Sequence, residues 1–552
     1  MEKNRCRFAV LAACGILLLA SSWPVAGQLQ VETKVAPLPT EVPLEMRDGV
    51  VELSLDGALE IALRRNLDMV IEIYNRTQAR VGVEQTLGVY DPLTMVDLRA
   101  SSVSRPPVSV TNPTNASNQQ LGLGLSQFVP TGGLFSVGLQ NSRSKSDISG
   151  QFNFLNPQYS SGLNLSFTQP LLRDFGRQTF ERQIRLAQNR NEKSSADFVQ
   201  RVVVTVQSLI NGYWNLVDAR EQLKVQQQSQ ALARELRERT RILIEAGTMA
   251  PLDLVQIDAN IAANEEEIIK AEILVAGSED ALRRLMNLPQ GPLWDAEIRL
   301  TTSPELEPVP PVDVREAIRV ALENLPTIRA QRLAVEQARI SALFFHNQVL
   351  PALDLTLTYG LAGNNAITVF NDQGTPRIAT GTFGDALSQI FGADFDGWSA
   401  QLTFGYPLGN RGARSARVIA DLNLENAKTA LTQAEQLVFT DVRETARQIT
   451  GSAKQIEAAR ASVYLQERSL EAERKRYENG RSSSFEINRL QQDLAAAKSR
   501  QITAIITHRR AHLHFLQSTG MLLKAYNIVI DDPEVSVDRW SFSLFRGRPW
   551  AD

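Results

Sequence analysis

The stretch AKTALTQAEQLVFTDVRETARQITGSAKQIEAARASV, residues 427–463, decides the fold. Ala427, Leu431, Ala434, Val438, Val442, Ala446, Ile449, Ala453, Ile456, Ala459 and Val463 step along it by three or four positions. On an α-helix these residues form one stripe, the seam of a coiled coil, and its alanines let a neighbouring helix come close. Around it, from Ala413 to Asn479, there is no proline and only Gly451. About 70 residues at about 1.5 Å each make a rod of about 100 Å. No globular core of this size needs such a rod.

The rod occurs twice. From Gly176 to Ala246 the chain again lacks proline, with only Gly212 inside the run. The duplication extends further: Gln78-Ala79-Arg80 recurs as Gln337-Ala338-Arg339, an offset of 259 that also pairs Ala58 with Ala317 and Pro92 with Pro351. The offset falls to 237 at Pro170 and Pro407, then to 233 at Gly247 and Gly480. Landmarks kept in order while the offset drifts mark a duplicated module with insertions. Each module reads as an amphipathic helix, strands, a long helix, a glycine turn and a returning helix. The helices at 56–90 and 251–288 together match the long one in length, as do 313–348 and 486–524. Two short helices stacked end to end are therefore expected beside each long one.

The strand segments alternate. Leu163 to Thr168, Leu353 to Thr358 and Trp398 to Phe404 place apolar and polar residues in turn, and 93–103 does so more weakly. Such strands have one apolar and one wet face, as in a membrane barrel or a half-buried soluble sandwich. Two further strands at 120–128 and 134–140 flank Pro130-Thr131-Gly132-Gly133 and have no counterpart in the second module. The stretches 105–119, 142–157 and 363–395 read as long polar loops.

The first residues point to a secretory leader, 1–27: Lys3, Arg5 and Arg7 precede an apolar run from Phe8 to Ala20, and Val25-Ala26-Gly27 offers a cleavage site. Both cysteines, Cys6 and Cys14, fall inside it, so the mature chain is expected to carry no disulfide, thiolate metal site or cysteine nucleophile. Cys14 also admits a lipoprotein reading, which the apolar run continuing to Ala20 disfavours. The leader's three cations and one anion take the net charge from −3 to −5 on removal. A mildly acidic chain without a basic block gives no support for nucleic-acid binding. Beyond the leader no run of about 18 apolar residues exists, so any bilayer crossing must be made by strands.

Read together, Leu53-Ser54-Leu55 with Ala58-Leu59 and Ala62-Leu63, Thr168-Gln169-Pro170-Leu171-Leu172 before Gly176, Tyr406-Pro407-Leu408 before Gly412, and the turns near Gly247 and Gly480 resemble the TolC-like outer-membrane efflux proteins over about 53–525. The resemblance implies a mostly α fold, a long antiparallel coiled-coil α-barrel joined to a transmembrane β-barrel. It implies a homotrimer in which each chain gives four strands to a shared twelve-stranded barrel in outer-membrane lipid, with the tunnel projecting into the periplasm. Its implied partners are a periplasmic adaptor and an inner-membrane transporter. It implies no enzyme activity and no cofactor. On this reading 28–52 is an N-terminal linker, 53–290 the first repeat, 291–311 a proline-rich linker, 312–525 the second repeat and 526–552 a tail.

The resemblance assigns adaptor contact to the tips, here Ala246, Gly247, Thr248, Asn479, Gly480 and Arg481. The same glycines would serve simply to end a helix. Six positions beyond the tip glycines stand Asp253 and Glu486, candidates for a periplasmic gate, because three carboxylates about one axis repel each other and attract cations. Nine positions beyond the glycines stand Gln256 and Arg489, so no second acidic ring is expected and Arg489 is instead available to pair with a neighbouring acid. Pro170, Gly176, Pro407 and Gly412 mark the strand-to-helix junctions. His508, His512 and His514 lack a companion carboxylate at matching spacing, which argues against a metal site. The function expected is passive export of small molecules through the duct of a tripartite efflux pump. Exit of a protein by type I secretion and a non-conducting periplasmic tether are the alternatives.

Overall fold

The structure, a computed structural model, describes residues 46–47, 49–106, 113–147, 155–245, 247, 249, 251–303, 312–370, 374, 376–479 and 481–530. The expected leader lies outside these residues.

Each repeat opens with a helix that breaks, where the sequence pattern predicts a single helix. In the first repeat α1 (Leu55–Arg65) ends at Asn66, whose side chain then accepts from the backbone N–H groups of Asp68 and Met69 and so caps α2 (Leu67–Leu87). The break recurs 259 positions on, at Leu325, between α5 (Val314–Asn324) and α6 (Pro326–Gln348). There Pro326 supplies the break, since its fixed φ suits the first helical position and it lacks an N–H to continue the helix before it.

The long rods are α3 (Arg182–Glu245) and α8 (Arg411–Glu478), and the returning helices are α4 (Leu252–Leu285) and α9 (Ser484–Ser518). They form a layer four columns wide. The stack of α2 and α4 lies beside α3; the stack of α6 and α9 fills the space between α3 and α8. The end-to-end stacking expected from helix lengths is present. Gly212 sits where α3 and α4 approach closely, and a Cβ on it would lie 3.1 Å from Leu285 Cδ1, so that side chain would have to give slightly. Gly451 meets nothing within 4 Å.

The main apolar core crosses this layer near the helix breaks. Ala58, Ile61 and Ala62 of α1 pack against Leu209, Ile210 and Tyr213 of α3. Their repeat counterparts Ala317 and Ala321 pack with Val438 and Val442 of α8. The segments read as linkers are structured where described. Val50–Leu53 (β1) pairs in parallel with Glu297–Leu300 (β6), and Tyr213 clasps both flanks, donating to Leu53 O at 3.2 Å and accepting from Thr302 N at 3.1 Å. Ile528 and Ile530 of the tail pack against the same core.

Six strands make one antiparallel sheet. In chain order they are β2 (Leu93–Ser104), β3 (Asn115–Phe128), β4 (Leu134–Ser146), β5 (Gln158–Pro170), β7 (Ala352–Asn364) and β10 (Asp396–Gly405), and the spatial order is β10-β7-β5-β4-β3-β2. This corrects the count of four strands per chain. The hairpin β3–β4 sits inside the sheet, between β2 and β5. Its strands run to Asn115 and Ser146, into stretches read as loops.

The segment 363–395 is likewise not a plain loop. It holds the hairpin β8 (Ala366–Phe370) and β9 (Pro376–Thr380) and a short helix α7 (Phe383–Gly392). Ile390 of α7 packs on Val137, Leu163 and Leu361, so the helix lies on the apolar face of the sheet. Gly363 permits this, since a Cβ there would fall 2.1 Å from the Ala386 carbonyl oxygen.

Candidate functional site

The glycine turns bring the two helical hairpins to one end of the layer. Gly247 takes φ +74°, a left-handed value that closes the first turn, and its N–H donates to Ile244 O at 2.9 Å. In the second turn Asn479 N donates to Arg476 O at 3.2 Å and Arg481 N to the same oxygen at 2.9 Å. Gly247, Asn479 and Arg481 are all exposed. Ala246, Thr248 and Gly480 lie outside the described residues.

The two hairpins interlock through groups that sequence reasoning missed. Tyr477 OH meets Thr240 Oγ1 at 2.7 Å and donates to Met249 Sδ at 3.2 Å. Burial is the main cause that raises the Tyr477 phenol pKa. Ser484 Oγ donates to Asp253 Oδ1 at 2.8 Å, and Arg239 Nη1 to Glu478 Oε1 at 2.9 Å. Deeper in the layer Asn260 donates to Asn488, and Gln492 Nε2 donates to Asn260 Oδ1 at 2.9 Å. Leu236, Ile257, Val463 and Leu470 close an apolar core around these groups. Buried Asn at seam positions was the available signal, because a polar group in a coiled-coil seam specifies register.

Asp253 and Glu486 share a spacing from the tip but not an environment. Asp253 is half-buried and held by Ser484 of the other hairpin. Glu486 lies one turn before Arg489, whose guanidinium hydrogen-bonds it and holds the carboxyl below the usual carboxylate range. Arg489 also reaches Asp493 at 3.8 Å, so the pairing expected for it is present within its own helix. These side chains offer charge and hydrogen bonding at the tip end of the layer.

At the other end, strands pass into helices. Pro170 closes β5, and Gly176, at φ +89°, turns the chain toward α3. In the second repeat the left-handed residues after Pro407 are Gly409 (φ +86°) and Asn410 (φ +41°), whose Nδ2 donates to Val349 O at 3.0 Å. Gly412 lies within α8, and a Cβ there would meet nothing within 4 Å. The turn that balances Gly176 is thus Gly409–Asn410, three positions before the glycine picked from sequence. His508 is buried and joined to Ser452 Oγ through Nδ1 at 2.8 Å. His514 Nδ1 meets Gln207 at 3.3 Å, so these histidines face different neighbours.

A family model described as outer membrane efflux protein matches residues 113–288 and 317–514. The fold is similar to that of several solved outer-membrane proteins. The Campylobacter jejuni CmeC outer membrane channel superposes with a TM-score of 0.59 at 16% identity, covering 85% of this chain and 86% of that one. For the outer membrane protein VceC of Vibrio cholerae the values are 0.58 and 15%, with 84% and 96% covered. The open state of the Neisseria gonorrhoeae MtrE channel gives 0.56 and 17%, with 85% and 89% covered. No curated protein matches the chain. With more than half of its length matched by one family model, across both copies of the repeat, this chain belongs to the outer membrane efflux protein family and to the outer membrane.

Proposed function

We propose that three copies of this chain form one passive exit duct of a tripartite efflux pump, carrying small molecules from a periplasmic adaptor and inner-membrane transporter to the exterior. The observation that carries this reading is the sheet. One face is apolar from β3 through β10, as in the row Leu125, Val137, Leu165, Tyr359 and Trp398, while β2 divides its apolar residues, with Val96 and Leu98 on this face and Leu93 and Met95 on the other. The opposite face is small and polar, as in Ser126, Ser136, Ser166, Thr358 and Ser399. Every residue of the two edge strands β2 and β10 is exposed. Such edges do not persist in a bilayer, where backbone groups have no water to bond. Joining copies edge to edge removes them, with water on the polar face and lipid on the part of the apolar face that α7 leaves uncovered.

On this reading the tips, Ala246 to Thr248 and Asn479 to Arg481, meet the adaptor, and of these Gly247, Asn479 and Arg481 are exposed. Asp253 and Glu486 with Arg489 narrow the periplasmic end. No helix among the described residues is long and apolar enough to cross a membrane, so the strands carry the insertion. The test is ion conductance of the detergent-extracted protein in a planar bilayer. Discrete steps that widen in Glu486→Ala support a duct gated at the tip. Protein that stays monomeric and water-soluble, with no steps, overturns it in favour of a tether.

A further inference from the structure

We propose that the outer-membrane pore of this protein is an eighteen-stranded barrel, half as wide again as the twelve-stranded one its family resemblance implies, and that the β3–β4 hairpin is the insertion that widens it. This rests on the trimeric duct proposed above and concerns its bore.

The hairpin is built into the sheet along both edges and at its turn. β3 pairs with β2 along twelve positions and β4 with β5 along eleven. The apolar and polar sides continue through it without a break, Leu123 and Leu139 lying in one row with Val96, Leu163 and Leu361. Its turn is locked to the strand-to-helix junction. Gly176 N donates to Thr131 O at 3.0 Å, and Thr131 Oγ1 donates to Gln169 Oε1 at 2.6 Å. A Cβ on Gly132 would lie 2.8 Å from Asp174 O, and one on Gly133 2.6 Å from Gln169 Oε1. Gln127 Nε2 donates to Tyr90 O at 2.8 Å, and Phe128 packs on Phe180 with ring centroids 5.4 Å apart. A hairpin folded beside the barrel would make none of these contacts.

Closure and width agree. Six strands, all antiparallel, leave the β2 and β10 edges running in opposite directions. A rotation axis therefore joins β10 of one copy to β2 of the next with the alternation intact. Six strands about 4.8 Å apart and tilted by about 40° span an arc of about 38 Å. The four helical columns below, about 9 to 10 Å apart, span nearly the same. Three arcs of six close at a backbone radius of about 18 Å, against about 12 Å for twelve strands, which makes the cross-section about twofold larger. The added lining is small and mostly neutral: Gly124 and Gly138 stand in one row with Asn164, Gly360 and Gly397. A pore so lined gives large solutes room while selecting little by charge.

The experiment is electron cryomicroscopy of the full-length protein in lipid nanodiscs, viewed along its symmetry axis. Eighteen strands are expected. A trimeric ring of twelve, with the hairpin outside it, overturns this inference and leaves the duct; particles with no ring overturn the duct itself. A second measurement places single cysteines at Leu123→Cys and Gly124→Cys, in a chain whose own cysteines are Cys6 and Cys14. Gly124 has ordinary backbone angles and its nearest neighbour to a new Cβ is at 3.7 Å. A fluorophore at position 123 should be quenched by brominated lipid and one at position 124 should not. Equal quenching at both positions overturns the proposal.

Discussion

Ser484 Oγ donates a hydrogen bond of 2.8 Å to Asp253 Oδ1, tying the first turn of the second returning helix to the first turn of the other. The two residues come from different repeats and stand 231 positions apart. Equal spacing from the tip glycines suggested that Asp253 and Glu486 play equal parts, and this bond separates them. Asp253 joins the hairpins to each other, while Glu486 is occupied by Arg489 of its own helix.

Replacing Ser484 with alanine should therefore loosen the tip. A hydrogen bond to a carboxylate contributes about 1.5–3 kcal/mol, and Asp253 is left half-buried without it. Single-channel recording of Ser484→Ala should show more frequent or wider openings than the parent. Unchanged openings would remove this bond from the closed state.

Glu486 and Arg489 set an expected pH dependence. Arg489 lowers the carboxyl pKa, so the pair is charged and intact at neutral pH and is lost only as pH falls through that lowered value. Gating should thus be insensitive to pH between about 5 and 8. In Arg489→Ala the carboxyl should titrate nearer the ordinary range of about 4.3, and conductance should begin to change at higher pH than in the parent. The pH at half-change, measured in a bilayer, decides this.

Gly363→Ala should dislodge α7 from the sheet. The new methyl group would lie 2.1 Å from Ala386 O, a distance that requires the helix to move. Overpacking of this kind costs typically 1–3 kcal/mol. The expected result is a lower melting temperature for the assembled protein and faster proteolysis within 366–395.

Tyr213→Phe keeps the buried ring but deletes the hydroxyl that joins Leu53 O and Thr302 N. Leaving two backbone groups without this partner should cost about 1–3 kcal/mol. Hydrogen exchange should quicken at 50–53 and 297–302 while the rods α3 and α8 keep their protection.

Much of this architecture is legible in the chain because it is periodic. The stripe from Ala427 to Val463 makes a rod by local geometry alone, and the 259-residue offset carries the pairing of Ala58 with Ala317, whereas the helix breaks at Asn66 and Leu325 went unread because apolar period runs on through them. Alternation in Leu353–Thr358 likewise declares a strand with two unlike faces. Gly412 stands at the start of α8, at the junction named from sequence, but the turn itself is made by Gly409 and Asn410. Only backbone φ distinguishes it from Gly409.

By itself the sequence determined the duplicated plan of long helices and two-faced strands, since side-chain period is a property of neighbouring residues. Only the tertiary structure decided which strands share the sheet, that the β3–β4 hairpin lies within it, and that Asp253 faces Ser484. Those are contacts between segments far apart in the chain. They are chosen by packing and by the need to satisfy buried polar groups, and no local pattern records them.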